Sequence, residues 1–90
     1  MMKKRILGNE GLKVSELNSG NGVKIVSVES ASVAQQNGLR KDDVIVKVGR
    51  KAITSKDEYH SIIDAKEKGD VVMLRIERSG KQSIYAFTIR

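Results

Sequence analysis

The stretch from Gly22 to Ser55, GVKIVSVESASVAQQNGLRKDDVIVKVGRKAITS, constrains the fold more than any other part of the chain. It holds two short apolar runs rich in β-branched residues, Val23-Lys24-Ile25-Val26-Ser27-Val28 and Val44-Ile45-Val46-Lys47-Val48. Branching at Cβ suits the pleated, half-buried surface of a strand, and polar turn-formers bound both runs. Between them, Ser32 is placed to cap a helix and Gly38 to stop it, which leaves room for little more than one turn. Leu39 follows the stop and is expected to fold back into the core. Asp42 and Asp43 read as turn and strand-start residues, because Asp side chains bond nearby backbone amides.

Strand, one helical turn, Gly38-Leu39, charged residues, then Asp43-Val44-Ile45 and a glycine turn at Gly49: this order resembles the core of a PDZ domain. The nearest likeness is the bacterial form found behind the protease module of HtrA/protease Do serine proteases. The resemblance runs from about Ile6 to Ile89. It departs from the family at Val33, where proline is usual, and at Asp42, where glycine usually precedes Asp43. Both departures bear on turn geometry rather than on binding residues.

Upstream, Ile6-Leu7-Gly8-Asn9-Glu10-Gly11-Leu12 carries two glycines three positions apart, which suits a loop whose amides converge on an anion. Leu12 and Val14 then suggest a short strand. The resemblance makes Leu7, Gly8, Asn9 and Glu10 the carboxylate-binding loop, and Leu12 and Val14 the groove strand. Two registers of the apolar-Gly-apolar pattern compete. Ile6-Leu7-Gly8-Asn9 is favoured, with a small insertion before Leu12; Asn9-Glu10-Gly11-Leu12 puts Glu10 at an apolar position. An ordinary glycine turn opening a strand would give the same local pattern.

Downstream, Ser55-Lys56-Asp57-Glu58 reads as a capping box, with the Ser55 hydroxyl on the Glu58 amide and the Glu58 carboxylate returning to the Ser55 amide. A helix over 56–67 follows, stopping near Gly69 with Lys66 and Lys68 in its last turn. Counting back from that stop, the resemblance places Glu58, Ile62, Ala65 and Lys66 on the groove side, with Tyr59 and Ile63 about 100° round in the core. Val71–Arg78 and Gln82–Ile89 alternate as strands joined by a hairpin turn at Ser79-Gly80. Tyr85, Phe87 and Ile89 share one face, and Ile84, Ala86 and Thr88 the other.

The expected fold is therefore mainly β with two helices: a PDZ-like, partly open, five- to six-stranded barrel or sandwich capped by helices. The resemblance implies the bacterial, permuted strand order, with the last strand beside the start of the chain. Residues 1–5 are expected to be a start added for expression of an excised domain, or a flexible tail, and 6–90 a single domain. Ninety residues can support a core without staples. The apolar core of a signal peptide is missing after Arg5, and no apolar run is long enough to span a membrane.

Chemistry is sparse. The single His60 lies on the second helix, where Ser61 and Asp64 cannot be arranged around its ring as a triad, and it reads as a solvated helix histidine. With no cysteine and one histidine, a metal set is not expected. No catalytic residues, cofactors or metals are assigned, and the chain is not expected to be an enzyme by itself. A net charge of +6 favours acidic partners in general, but Tyr59, Tyr85 and Phe87 are the three aromatics and no stacking platform for nucleic acid is evident.

By resemblance, the domain would recognise exposed C-termini or unfolded segments by strand addition between the N-terminal strand and the helix 56–67. Its other partners would be the protease module and further subunits of a periplasmic serine endopeptidase. Because the sequence stops right after the final strand, the C-terminal PDZ of such a protease is the expected position. The alternatives are a structural or assembly PDZ domain with a degenerate groove, or the PDZ domain of another bacterial protease, tail-specific or site-2.

Overall fold

A computed structural model describes residues 11–17 and 20–89. In chain order these form β1 (Leu12–Glu16), β2 (Val23–Val28), α1 (Val33–Gln36), β3 (Val44–Val48), β4 (Lys51–Ala52), α2 (Lys56–Asp64), β5 (Val71–Arg78) and β6 (Lys81–Thr88). The strands make one open antiparallel sheet in the order β1-β2-β3-β5-β6, with the two-residue β4 paired to β3. β1 and β6 thus stand at opposite ends of the described hydrogen-bonded path. The chain start expected beside the last strand lies outside the described residues.

Each element follows from its residues. In α1 the Ser32 hydroxyl accepts the Gln35 amide at 3.1 Å, and Gly38 ends the turn at φ +92°. Leu39 then enters the core and is 3% exposed. Ser79 and Gly80 both take positive φ, the conformation a two-residue hairpin needs to match strand twist. β5 and β6 alternate inward and outward: Val72, Leu74, Ile76 and Phe87 are buried, as is Ile89 just after β6, while Val71, Met73 and Ile84 are exposed. Between Lys13 and Val14 the register shifts by one, leaving Val26 as the extra residue on β2, while Leu12 and Val14 both stay in the core.

The second helix is shorter than expected. It ends at Asp64, with Ala65 as its C-cap, rather than running to residue 67. The Lys66 amide bonds back three residues to Ile63 at 3.0 Å, and the Asp70 carboxylate takes the Glu67 amide at 2.8 Å. These tighter bonds divert the chain into the Gly69 turn (φ +96°). Lys66 and Lys68 therefore lie beyond the last helical turn, not within it. His60 also differs from a solvated residue: it is half-buried, and its ring meets Tyr59 edge-on at 5.4 Å between centroids.

Candidate functional site

The candidate site is the region between β1 and α2, called the channel below. β1 pairs with β2 along one side, and among the described residues no strand pairs with its other side. α2 packs against β1. At the far end of the channel the Glu16 carboxylate accepts the Lys56 amide at 3.2 Å, tying the last residue of β1 to the first turn of α2. That bond satisfies one of the amides a helix start leaves without a partner, and the negative charge suits the positive end of the helix.

The strand contributes backbone rather than side chains. Leu12 and Val14 are 2% and 7% exposed and form part of the core beneath the channel, with Lys13 exposed and Ser15 half-buried between them. On α2, Tyr59 and Ile63 are buried. Glu58, Ile62 and Lys66 are half-buried, Ile62 packs against the core, and Ala65 is exposed. The helix phase expected from the sequence is the observed one at Tyr59 and Ile63.

The cap differs from a reciprocal box in one bond. Ser55 Oγ accepts the Glu58 amide at 3.1 Å as expected, but the Glu58 carboxylate passes Ser55 and takes the Thr54 amide at 2.8 Å and the Thr54 hydroxyl at 3.0 Å. Its second oxygen lies 3.6 Å from Lys51 Nζ. The Thr54 amide and hydroxyl hold the Glu58 carboxyl below its ordinary value of 4.5, with help from the Lys51 charge. Glu58 is therefore engaged in the cap.

At the near end, Leu7, Gly8, Asn9 and Glu10 lie outside the described residues. Gly11, immediately before β1, is buried with φ +89°. A Cβ there would collide with the Ser32 side chain, and the Gly11 carbonyl accepts the Glu29 amide at 2.7 Å. The backbone entering β1 is thus pressed against the cap of α1, a position that admits glycine alone.

One strong interaction escaped sequence reasoning. Asp43 is 2% exposed and receives Arg78 through two hydrogen bonds, Nε to Oδ1 at 2.7 Å and Nη2 to Oδ2 at 2.6 Å. Asp43 also accepts the Arg40 amide at 3.0 Å, the turn role read from the sequence. The Asp43 hydrogen bonds hold the Arg78 guanidinium above its ordinary value. No spacing signal links residues 35 positions apart, so the pair was not legible.

Among the described residues no group of three or more His, Cys, Asp or Glu is placed to hold a metal ion. Among the described residues no helix is long and apolar enough to cross a membrane.

With this geometry in hand, the family model described as "PDZ domain" matches residues 8–86. The chain belongs to the PDZ domain family. Over 66 residues this PDZ domain is 42% identical to the periplasmic pH-dependent serine endoprotease DegQ of Escherichia coli (strain K12), covering 73% of this chain and 14% of that protein. Over 80 residues it is 35% identical to a probable periplasmic DegP-like serine endoprotease of Buchnera aphidicola subsp. Schizaphis graminum, covering 87% of this chain and 16% of the relative. Among solved structures it superposes on the HtrA3 PDZ domain bound to a phage-derived ligand (FGRWV), with a TM-score of 0.75, 18% identity, and coverage of 94% of this chain and 84% of that one. The chain thus spans about a sixth of the curated relatives' length, and the match is to their PDZ region. The relatives are serine endoproteases; a PDZ domain is a non-catalytic module.

The two departures from the family pattern in this PDZ domain have a local explanation. Val33 is the first residue of α1, the position where proline is favoured but not required. Asp42 takes φ +77° where the family usually has glycine, and Asp is among the few residues that tolerate that region.

Proposed function

We propose that this PDZ domain binds exposed C-terminal or unfolded peptide segments as an added strand between β1 and α2. The observation that carries the reading is a β1 that no strand pairs on one side among the described residues, with α2 packed against β1 and Glu16 joined to Lys56. An extended peptide would take the unpaired N–H and C=O groups of Leu12–Glu16, and alternate side chains would enter the channel. Its carboxylate would sit in the loop Leu7, Gly8, Asn9 and Glu10, with the rigid Gly11 backbone fixing where that loop meets Leu12. Ile62 and Ala65 would line the floor for the last side chain, and Lys66 the rim. Glu58, engaged with Thr54 and Lys51, would contribute little polar selectivity, so the preference is for an apolar terminal residue.

The periplasmic endoprotease relatives support reading this domain as a substrate-recognition module of such an enzyme, working beside its protease module and neighbouring subunits in the cell envelope.

Paired peptides of one apolar-ended sequence, as free acid and as C-terminal amide, test the proposal by calorimetry. A charged, hydrogen-bonded carboxylate contributes about 1.5–3 kcal/mol, so amidation should weaken binding roughly ten- to hundredfold. Equal affinity for the two forms would remove the carboxylate loop from the proposal. Absence of binding by either form would leave an assembly role in its place.

A further inference from the structure

The outer face of the β5–β6 hairpin carries a second feature, on the other edge of the sheet from β1. Across that face Val71 stands opposite Thr88, Met73 opposite Ala86, and Arg75 opposite Ile84. Val71, Met73 and Ile84 are 58%, 48% and 55% exposed, so three large apolar side chains face water along this hairpin. Beside them, Lys47 of β3 is the direct cross-strand partner of Arg75, and Ala52 of β4 is the partner of Lys47. One row across the sheet therefore reads Ala52, Lys47, Arg75, Ile84.

Two like charges directly opposite each other on a sheet destabilise it. Among the described residues neither Lys47 nor Arg75 forms an ion pair, although Glu77 lies two positions along β5 on the same face. The inward-facing residues explain why β5 and β6 exist; they do not explain why their solvent face keeps three aliphatics next to an uncompensated cation pair. A carboxylate inserted between Lys47 and Arg75 would relieve the repulsion while apolar neighbours covered Met73, Val71 and Ile84.

We propose that this face docks a protein segment in which an Asp or Glu is flanked by aliphatic side chains. The charge pattern selects that chemistry. A second copy of this face would bring four cations together, and three aliphatics offer a nucleic acid no stacking surface. The site does not use the β1–α2 channel, so it stands or falls independently of the proposed peptide groove.

The test uses the isotope-labelled domain and a short synthetic peptide of alternating leucine and glutamate, blocked at both ends to keep it out of any carboxylate loop. Its leucine–glutamine counterpart is the control. The acidic probe should shift amide resonances at Lys47, Ala52, Met73, Arg75 and Ile84, and the glutamine probe should bind about tenfold more weakly or worse. Lys47→Glu and, separately, Met73→Ser should each weaken the acidic probe by a similar factor while the folded spectrum is kept. Equal binding of the two probes, shifts confined to the β1–α2 channel, or no shifts at all would overturn the proposal. So would concentration-dependent shifts at this face without peptide, which would make a second copy the occupant.

Discussion

Arg78 grips the buried Asp43 side-on, with Nε on one carboxylate oxygen at 2.7 Å and Nη2 on the other at 2.6 Å, and the same Nη2 reaches the Gly38 carbonyl at 3.0 Å. One side chain at the end of β5 thereby fastens the start of β3 and the stop of α1. The guanidinium also lies 5.6 Å from the centre of the Tyr85 ring, within cation–π range. The planar fork matters here, since a lysine could not make both carboxylate bonds and the carbonyl bond in this geometry.

Arg78→Leu should therefore destabilise the domain by about 2–3 kcal/mol in urea denaturation. The figure lies below the ~3–5 kcal/mol typical of a broken buried pair because a third of the Arg78 side chain already faces water. Arg78→Leu combined with Asp43→Asn should recover part of the loss, since the stranded charge is then gone.

Ser55→Ala removes the acceptor of the Glu58 amide at the head of α2. A loss of about 0.5–2 kcal/mol is expected from chemical denaturation. Unchanged stability would mean that water replaces the hydroxyl without cost.

Gly11→Ala forces a side chain into left-handed backbone and onto Ser32. The backbone term alone costs about 1–2 kcal/mol. Adding Ser32→Gly removes the collision but not the strain, so the double variant should regain stability only in part. Full recovery would show that φ +89° is not maintained in the alanine variant.

Glu58 gives a pH dependence whose sign is fixed by its lowered pKa. The unfolded chain binds the proton more readily than the folded one, so the Glu58 contribution is present above the unfolded value and lost as pH falls through the folded value. Denaturation midpoints should decline on acidification, and Glu58→Gln should flatten that part of the profile. A profile unchanged by the substitution would show that Thr54 and Lys51 do not hold the carboxylate in solution.

Ile62→Lys separates groove from core on α2. Ile62 is half-buried, unlike Ile63 one residue on. The lysine should keep its ammonium in water, leave the fold intact and abolish binding of an apolar-ended peptide. Unfolding would place Ile62 in the core proper, because an unpaired buried charge is among the largest single-residue penalties.

What the sequence determined by itself is local. β-branched runs bounded by turn residues marked β2 and β3, alternation marked β5 and β6, and Ser32, Gly38 and Ser55 marked helix ends, because these signals act through the residue's own backbone or through neighbours within about one turn. The phase of α2, with Tyr59 and Ile63 inward, was implied by the family resemblance, counted back from the Gly69 stop at 3.6 residues per turn. The family pattern drew on those local signals, so it was legible too.

What the tertiary structure decided lies across chain distance. After α2 ends at Asp64 rather than residue 67, the Gly69 amide donates to the Ile89 carbonyl at 2.8 Å and the Ile89 amide to the Asp70 carbonyl at 2.9 Å, holding the turn against the end of β6. Asp43 meeting Arg78, Gly11 meeting Ser32, Glu16 meeting Lys56 and Lys47 meeting Arg75 each join elements far apart in sequence. Such contacts are fixed by the packing of whole strands, which couples every register choice at once, and no spacing within one element encodes them.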